Sequence, residues 1–393
     1  MLLLPVYKDC TIWISGYALF CDIDPLIINI TVNEQGGIHM LMKNKVAQAV
    51  IIAGLSSQGF ALELGDFNGT QFSVGGYIKA EGVFNNPDES RSTFESSASQ
   101  SRLNFTTSRQ EGDHKLKGFI EGDFRGASSV FRLRHATLTV DHLTVGQTWT
   151  GQFYANAPFD TEMINFYGTG IGTVSGNGAV VRPDLVAHYA KGGLRLTAQD
   201  PLYSHANFPD LIAGYTHRTA EGHAYNVTLT GRDVDTTPSD TNDSESKFGA
   251  ALSLAAKLKF GDTSVSVSGF SGTGAAIYAG WGYNGAAGTA GSAELDSNGD
   301  LLTITGFSAG IGHKVNDKLR ANLRYGQVST DASSLADDTL TITTANMIYT
   351  YLPGLDIGVE LRDQSAATNG AASGSIVTRP AGQQVEIMAM YKF

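Results

Sequence analysis

Apolar and polar residues alternate along most of the chain beyond Gln71. In runs of eight to twelve residues one face is apolar and the other polar, and Gly, Asn, Asp and Pro separate the runs. A period of two is that of β-strands with one wetted face, whereas an amphipathic helix repeats every 3.6 residues. Sixteen strands are predicted, at 71–82, 100–109, 114–124, 130–140, 143–150, 182–190, 193–200, 209–219, 223–235, 247–260, 263–272, 301–315, 318–329, 339–352, 355–364 and 383–393.

The links between these strands alternate in length. Seven short links, such as Asp141-His142 and Asn316-Asp317, interleave with eight longer ones. This order predicts an up-and-down meander with short turns at one end and long loops at the other, which a soluble sandwich does not require. An open sheet edge in hydrocarbon would leave unpaired backbone groups, so the strands are expected to close. The predicted fold is all-β: a 16-stranded antiparallel transmembrane β-barrel with a lumen wide enough for water.

The last predicted strand has two distinct faces. One carries Val385, Ile387, Ala389, Tyr391 and the terminal Phe393, and the other carries Glu386, Met388, Met390 and Lys392. An apolar outward face that ends in an aromatic pair is typical of a strand at a membrane boundary. An ordinary edge strand that ends in Phe is the alternative.

Residues 42–61 have the pattern of a secretory signal peptide. Lys43 and Lys45 precede an apolar stretch from Val46 to Leu55, and Gly59-Phe60-Ala61 fits a small-x-small cleavage site. A short core helix is the alternative. Residues 1–41 lack a basic segment of this kind and are interpreted as an upstream extension or a start-site artefact. The barrel is therefore expected to span residues 62–393.

Composition excludes several classes of function. The net charge is −11, so nucleic acid is not an expected partner. Both cysteines, Cys10 and Cys21, lie before the predicted barrel, which leaves no thiolate metal site in it. The histidines lack metal-ligand spacing, and nothing in the sequence orders a Ser-His-Asp triad. We predict no metal, no cofactor, no catalytic residues and no enzymatic activity.

Charged residues in the first half of the barrel are expected to face the lumen. If the apolar side chains face lipid, strand alternation turns their polar neighbours inward. The predicted pore-lining residues are Lys79, Arg102, Lys117, Glu121, Asp123, Arg132, Arg134, Arg182, His188 and Arg195. Two interpretations stay open: a basic wall that ranks solutes by charge, or a ladder of cross-strand ion pairs with a structural role.

The longest early loop, 151–181, has no Lys or Arg and contributes Asp160 and Glu162. Long loops within a compact fold are commonly functional. The hypothesis is that this loop folds into the lumen, faces the basic wall and forms a charged constriction with it.

Three stretches together resemble the DcaP-like family of outer-membrane porins. They are Ser101-Arg102-Leu103-Asn104-Phe105, then Ile120-Glu121-Gly122-Asp123-Phe124 with Arg132-Leu133-Arg134-His135-Ala136, and finally Leu143-Thr144-Val145-Gly146-Gln147-Thr148-Trp149. The match spans about 100–200, and the remainder is similar only in pattern. The resemblance implies a homotrimeric barrel with an inward third loop, in which Arg102, Arg132 and Arg134 are lumen bases and Glu121 and Asp123 their partners. It also implies passage of small anionic solutes such as carboxylates.

The predicted function is therefore passive diffusion of small polar, anionic solutes through a porin in the bacterial outer membrane, in contact with its lipid. The alternative is a barrel-anchored adhesin or receptor, whose loops 236–246 and 273–300 would bind a partner.

Overall fold

The computed structural model describes the chain as two separate units, Met1–Ile52 and Ala53–Phe393. The described residues are 19–23, 26–32, 38–42, 61–125, 130–152, 159–164, 182–201, 206–235, 245–279, 294–296, 298–331, 339–365 and 381–393.

The first unit contains a small antiparallel sheet of three strands: β1 (Leu19–Ile23), β2 (Leu26–Val32) and β3 (Ile38–Met42). They are hydrogen-bonded in the order β1-β2-β3. Met42 ends β3 and Ala61 is the first residue described after it, so nearly all of the predicted signal peptide, 42–61, lies outside the described residues. The signal peptide stays a prediction.

The second unit is a closed antiparallel barrel. Its strands are β4 (Leu62–Phe67), β5 (Thr70–Pro87), β6 (Thr93–Ser97), β7 (Arg102–Glu111), β8 (His114–Asp123), β9 (Arg132–Val140), β10 (Leu143–Gln147), β11 (Val186–Lys191), β12 (Leu194–Gln199), β13 (Asp210–Arg218), β14 (Ala224–Asp235), β15 (Ser246–Phe260), β16 (Thr263–Thr273), β17 (Thr303–Lys314), β18 (Leu319–Thr330), β19 (Thr339–Leu352), β20 (Leu355–Gln364) and β21 (Gly382–Lys392). Each pairs with its neighbours in antiparallel register.

The barrel closes where β21 pairs with β5, from Gly382↔Pro87 to Lys392↔Tyr77. Two of the eighteen strands are short pieces: β6 and β7 pair in turn with the same edge of β5, and β4 pairs with β5 beyond the end of β21. The wall is therefore sixteen strands around, which confirms the predicted strand number and closure. Closure leaves the barrel wall without a free edge, as hydrocarbon demands.

The two faces of the wall differ as the alternation predicts. Large apolar side chains are exposed on the outside, among them Ile120, Leu211, Leu254, Leu323 and Leu361. On β21 the prediction for the last strand is confirmed: Ile387 and Tyr391 are about half exposed at 47% and 50%, whereas Glu386, Met388 and Met390 on the other face are buried. This apolar outer surface is suited to lipid.

The short connections follow turn chemistry. Asn68-Gly69 joins β4 to β5 with both residues at positive φ, and Asp141 at the β9–β10 turn also has positive φ. Asn, Asp and Gly adopt this conformation at the lowest cost. The β4 hairpin and β6 were not among the predicted strands, because each is too short to show several periods of alternation. Among the described residues no helix is long and apolar enough to cross a membrane.

Candidate functional site

Apart from Arg182, which precedes β11, the predicted charged residues alternate along their strands with exposed apolar side chains, and they differ in exposure. Five of them are buried: Lys79, Glu121, Asp123, Arg134 and His188. The others are partly accessible: Arg102, Lys117, Arg132, Arg182 and Arg195. Contact of either group with solute stays a prediction.

Strands β7, β8 and β9 bring five of these residues into one ion-pair cluster. Arg132 donates two hydrogen bonds to the Asp123 carboxylate, from Nε at 3.0 Å and from Nη2 at 2.8 Å. Arg134 reaches both acids, Glu121 at 3.0 Å and Asp123 at 2.8 Å. Arg102 lies 3.7 Å from Glu121. Charge-assisted pairs of this kind fix side-chain geometry, so the predicted ion-pair ladder is present as a geometric arrangement.

A β-bulge shapes this cluster. The register between β8 and β9 shifts at Glu121/Gly122, where His135 pairs with Glu121 and Leu133 pairs with Gly122. Arg134 is the extra residue, so Arg134 and His135 are consecutive and both buried. Sequence reasoning missed His135, because strict alternation places it on the lipid face. Bulges re-aim side chains in this way.

Trp149 extends the cluster toward the start of the long loop. The guanidinium carbons of Arg134 and Arg182 lie 5.5 and 5.1 Å from its ring centroid. Arg182 precedes β11 and lies outside the strands. Burial lowers the pKa of Arg182 well below its usual range, and repulsion from Arg134, Arg132 and Arg102 lowers that pKa further. Three arginines and the Asp123 carboxylate thus act on the Arg182 guanidinium.

Three further predicted residues are His188, Lys117 and Arg195. His188 is held between Thr197 Oγ1, 2.7 Å from its Nδ1, and the carbonyl oxygen of Trp149, 3.0 Å from its Nε2. The Lys117 ammonium nitrogen lies 5.9 Å from the centroid of the Phe119 ring. Arg195 is half-buried on β12.

The described segment Phe159–Ile164 of the long loop crosses to strands that are not neighbours of β10 or β11. Asp160 pairs with Arg324 of β18 at 3.1 Å, and its carbonyl accepts a hydrogen bond from Lys257 of β15 at 2.7 Å. Arg320 donates hydrogen bonds to both carboxylate oxygens of Glu162, at 2.6 and 2.8 Å. The two loop acids therefore pair with bases of the second half of the barrel, and not with the predicted basic wall of the first half.

Ile164 contacts the wall through both its backbone and its side chain. Its carbonyl accepts a hydrogen bond from Lys79 Nζ at 2.8 Å, and its N–H donates to Glu360 at 2.7 Å. The side chain is fully buried and lies directly over Gly358, where a Cβ would collide with it. Gly310 provides room for Thr161 in the same way, since a Cβ there would lie 2.7 Å from the Thr161 methyl group.

Three bases that hold the loop were missed by the sequence reasoning: Lys257, Arg320 and Arg324. Each lies on a strand whose alternation turns it inward, so the rule applied to the first half of the barrel would have found them. Arg320 also pairs with Asp356 at 3.0 Å, and Lys392 pairs with Asp356 at 3.0 Å. A chain of charges thus runs from the loop to the last strand.

Loop 273–300, which the adhesin alternative would place outside, is described at its two ends. Ala275, Ala276, Ile277, Tyr278 and Glu294 are all buried. Loop 236–246 lies outside the described residues except for its last two positions. Within the described residues, no group of three or more His, Cys, Asp or Glu side chains could hold a metal ion.

A closed sixteen-stranded antiparallel wall with an apolar exterior defines a transmembrane barrel of the porin type. No family model and no curated protein sequence matches the chain. Solved structures do: the outer membrane channel DcaP of Acinetobacter baumannii superposes with a TM-score of 0.64 at 21% identity, covering 84% of this chain and 99% of that one.

Two further structures have the same fold. The anion-selective porin from Comamonas acidovorans has a TM-score of 0.59 at 14% identity, covering 82% of this chain and 100% of its own. OmpT, an outer membrane protein of Vibrio cholerae, has a TM-score of 0.58 at 16% identity, covering 84% and 99%. The resemblance to DcaP-like porins noted in the sequence is thus supported at the level of the fold.

Proposed function

We propose that the chain is an outer-membrane channel for passive diffusion of small polar solutes, that it prefers anions, and that loop 151–181 narrows its lumen. The observation that carries the proposal is the pairing of the loop acids. Because Asp160 and Glu162 lie against Arg324 and Arg320, they are neutralised on one side of the barrel. They do not offset the arginines on the other side.

Those arginines lie close together near the start of the long loop. In the cluster on β7–β9, the described residues are Arg102, Arg132 and Arg134 with Glu121 and Asp123, and Arg182 adds a further base beside Trp149. An inner wall with a positive potential attracts anions and repels cations. Small carboxylates, which guanidinium groups bind in a bidentate manner, are the favoured solutes. The ion-pair ladder and the basic wall are compatible, because paired arginines also fix the shape of the pore.

The fold neighbours support the same function. One is an outer membrane channel and another is an anion-selective porin. OmpT of Vibrio cholerae has a trimer form. We extend a homotrimeric assembly to this chain. Chemical cross-linking of the detergent-purified protein would test it, and we expect cross-linked species of up to three copies.

Planar-bilayer recording tests the channel function. The purified protein should give stepwise conductance increments, and a tenfold salt gradient should give a reversal potential of the sign that indicates anion preference. A barrel that serves only as an anchor would give no steps. A reversal potential of cationic sign would contradict the anion preference and leave the channel intact.

A further inference from the structure

The inner face of the wall is apolar toward the end that carries the long loops. Ile304 on β17, Val328 on β18, and Leu340 and Ile342 on β19 are buried, at 1%, 0%, 1% and 3% exposure. Their positions in the alternation are those of Ser308, Arg324 and Thr344, which are also buried. Apolar side chains turned into a water-filled lumen would be unfavourable, so this face needs a cover.

The cover is the segment that follows β16. Ala275, Ala276, Ile277 and Tyr278 form one buried cluster with those four wall residues. A short 3-10 turn, Ala276–Ala279, presents the side chains to the wall. The segment therefore lies inside the barrel.

Tyr278 fixes this turn to strands β12 and β13. Its hydroxyl donates a hydrogen bond to the Asp210 carboxylate and accepts one from Gln199 Nε2 at 2.7 Å. The Arg232 guanidinium carbon lies 5.5 Å from the centroid of the tyrosine ring. All four side chains are buried, which makes their mutual satisfaction necessary.

Glu294 fixes the other described end of the same loop. It accepts a hydrogen bond from Arg232 Nη1 at 2.6 Å and from the backbone N–H groups of Ala276 and Ile277 at 2.8 and 3.1 Å. One carboxylate thus joins the turn, the returning chain and the wall. A buried charge placed in this way specifies one arrangement of the loop.

Gln199 connects this loop to the first one. Its Oε1 accepts a hydrogen bond from the N–H of Gly151, where loop 151–181 begins, at 3.0 Å, while its Nε2 binds Tyr278. Both inward loops are therefore held by the same wall side chain.

We propose that the segments Gly274–Ala279 and Glu294–Asp296 form a second element that narrows the channel, at the mouth with the long loops, and that Asp210 and Arg232 hold it in place. This inference rests on the proposed channel function. It assigns the size limit for solutes to two loops, with the second limiting entry on the side of β12–β19.

The test is the isosteric double variant Tyr278→Phe with Glu294→Gln, which removes both charge-assisted anchors without enlarging a cavity. Asp210 and Arg232 keep each other as partners, since they lie 3.4 Å apart. Single-channel conductance should rise roughly twofold as the mouth widens. Swelling of proteoliposomes should become faster with large oligosaccharides and stay unchanged with monosaccharides.

Asp317→Asn is the control, because Asp317 pairs with Lys314 in an exposed position of the β17–β18 turn, outside the proposed element. It should leave both readouts at the wild-type value. The variant barrels are first shown to fold by their heat-modifiable mobility on gels, and Tyr278→Phe alone serves if the double variant does not fold.

The second element would be overturned if the folded double variant kept the wild-type conductance and sugar cut-off. If only Tyr278→Phe folds, a wild-type cut-off in that variant would overturn it. Either result would leave the channel function standing. Absence of any conductance steps in the wild type would instead refute the channel function, and this inference with it.

Discussion

The ammonium group of Lys79 and the backbone carbonyl of Ile164 are joined by a hydrogen bond of 2.8 Å. Lys79 is fully buried and also pairs with Glu81 and Glu386, each at 2.9 Å. A lysine in such a position anchors the loop to the wall, and its side chain has no exposed surface that a solute could contact. Its location on the inner face follows from alternation, but its role follows from the loop that covers it.

Replacement of Lys79 should therefore destabilise the barrel. In Lys79→Met the carboxylates of Glu81 and Glu386 stay buried without their shared cation, which costs about 3–5 kcal/mol. The temperature at which the barrel loses its compact mobility on gels should fall. Lys117→Met, the half-exposed lysine beside Phe119, should change the unfolding free energy by no more than about 1 kcal/mol. Equal transitions for the two variants would show that Lys79 is not the attachment.

A second prediction uses the space over Gly358. Gly358→Val places side-chain atoms where Ile164 now lies, so the segment Phe159–Ile164 must move away from the wall and into the lumen. Single-channel conductance should change, and its open-state noise should increase, because the loop loses a fixed position. Gly269→Val is the control, since a Cβ there meets only the carbonyl of Gly306 at 3.9 Å. If Gly358→Val kept the wild-type conductance and open-state noise, the contact between Ile164 and Gly358 would be contradicted.

A third prediction concerns charge selectivity. Arg182 stands among other arginines, so Arg182→Gln removes positive potential from the lumen and also relieves repulsion. The anion-to-cation permeability ratio should fall by roughly twofold while thermal stability holds or rises. Arg109→Gln removes the same charge from an exposed pair with Glu111 and should leave the ratio unchanged. Equal ratios for wild type and Arg182→Gln would remove Arg182 from the selectivity region.

A fourth prediction concerns pH. Burial raises the pKa of Asp160, a loop residue, so this carboxyl becomes neutral at a higher pH than an ordinary aspartate as the solution is acidified. Loss of its negative charge makes the lumen more positive. As the solution is acidified, the anion-to-cation permeability ratio should therefore begin to rise at a pH above the ordinary titration range of aspartate, and Asp160→Asn should flatten that rise.

The control for this pH dependence is Asp317→Asn in an exposed turn. The hydrogen bond and charge of Lys314 hold the pKa of Asp317 below its usual range, so Asp317 becomes neutral at a lower pH than Asp160 does. Its variant should keep the wild-type pH profile. A profile in Asp160→Asn that is as steep as that of the wild type would assign the titration to another group.

The sequence determined the wall of this protein. Side-chain direction along a strand has a period of two, so the positions of Lys79, Arg132 and Glu386 on the inner face could be read locally, as could the turns at Asp141 and Asn316. The strand number and closure followed because hydrocarbon leaves no place for an unpaired edge.

The tertiary structure decided which side chains and loop segments meet on the inner face of the wall. The bulge that turns both Arg134 and His135 inward depends on pairing with β8, and alternation alone gives no sign of it. Ile164 binds Lys79 and Glu360, which are 85 and 196 residues away in the chain. Asp160 pairs with Arg324 and not with the predicted basic wall, which is nearer in sequence. Such contacts depend on which surfaces meet after the barrel closes, and no local period encodes that meeting.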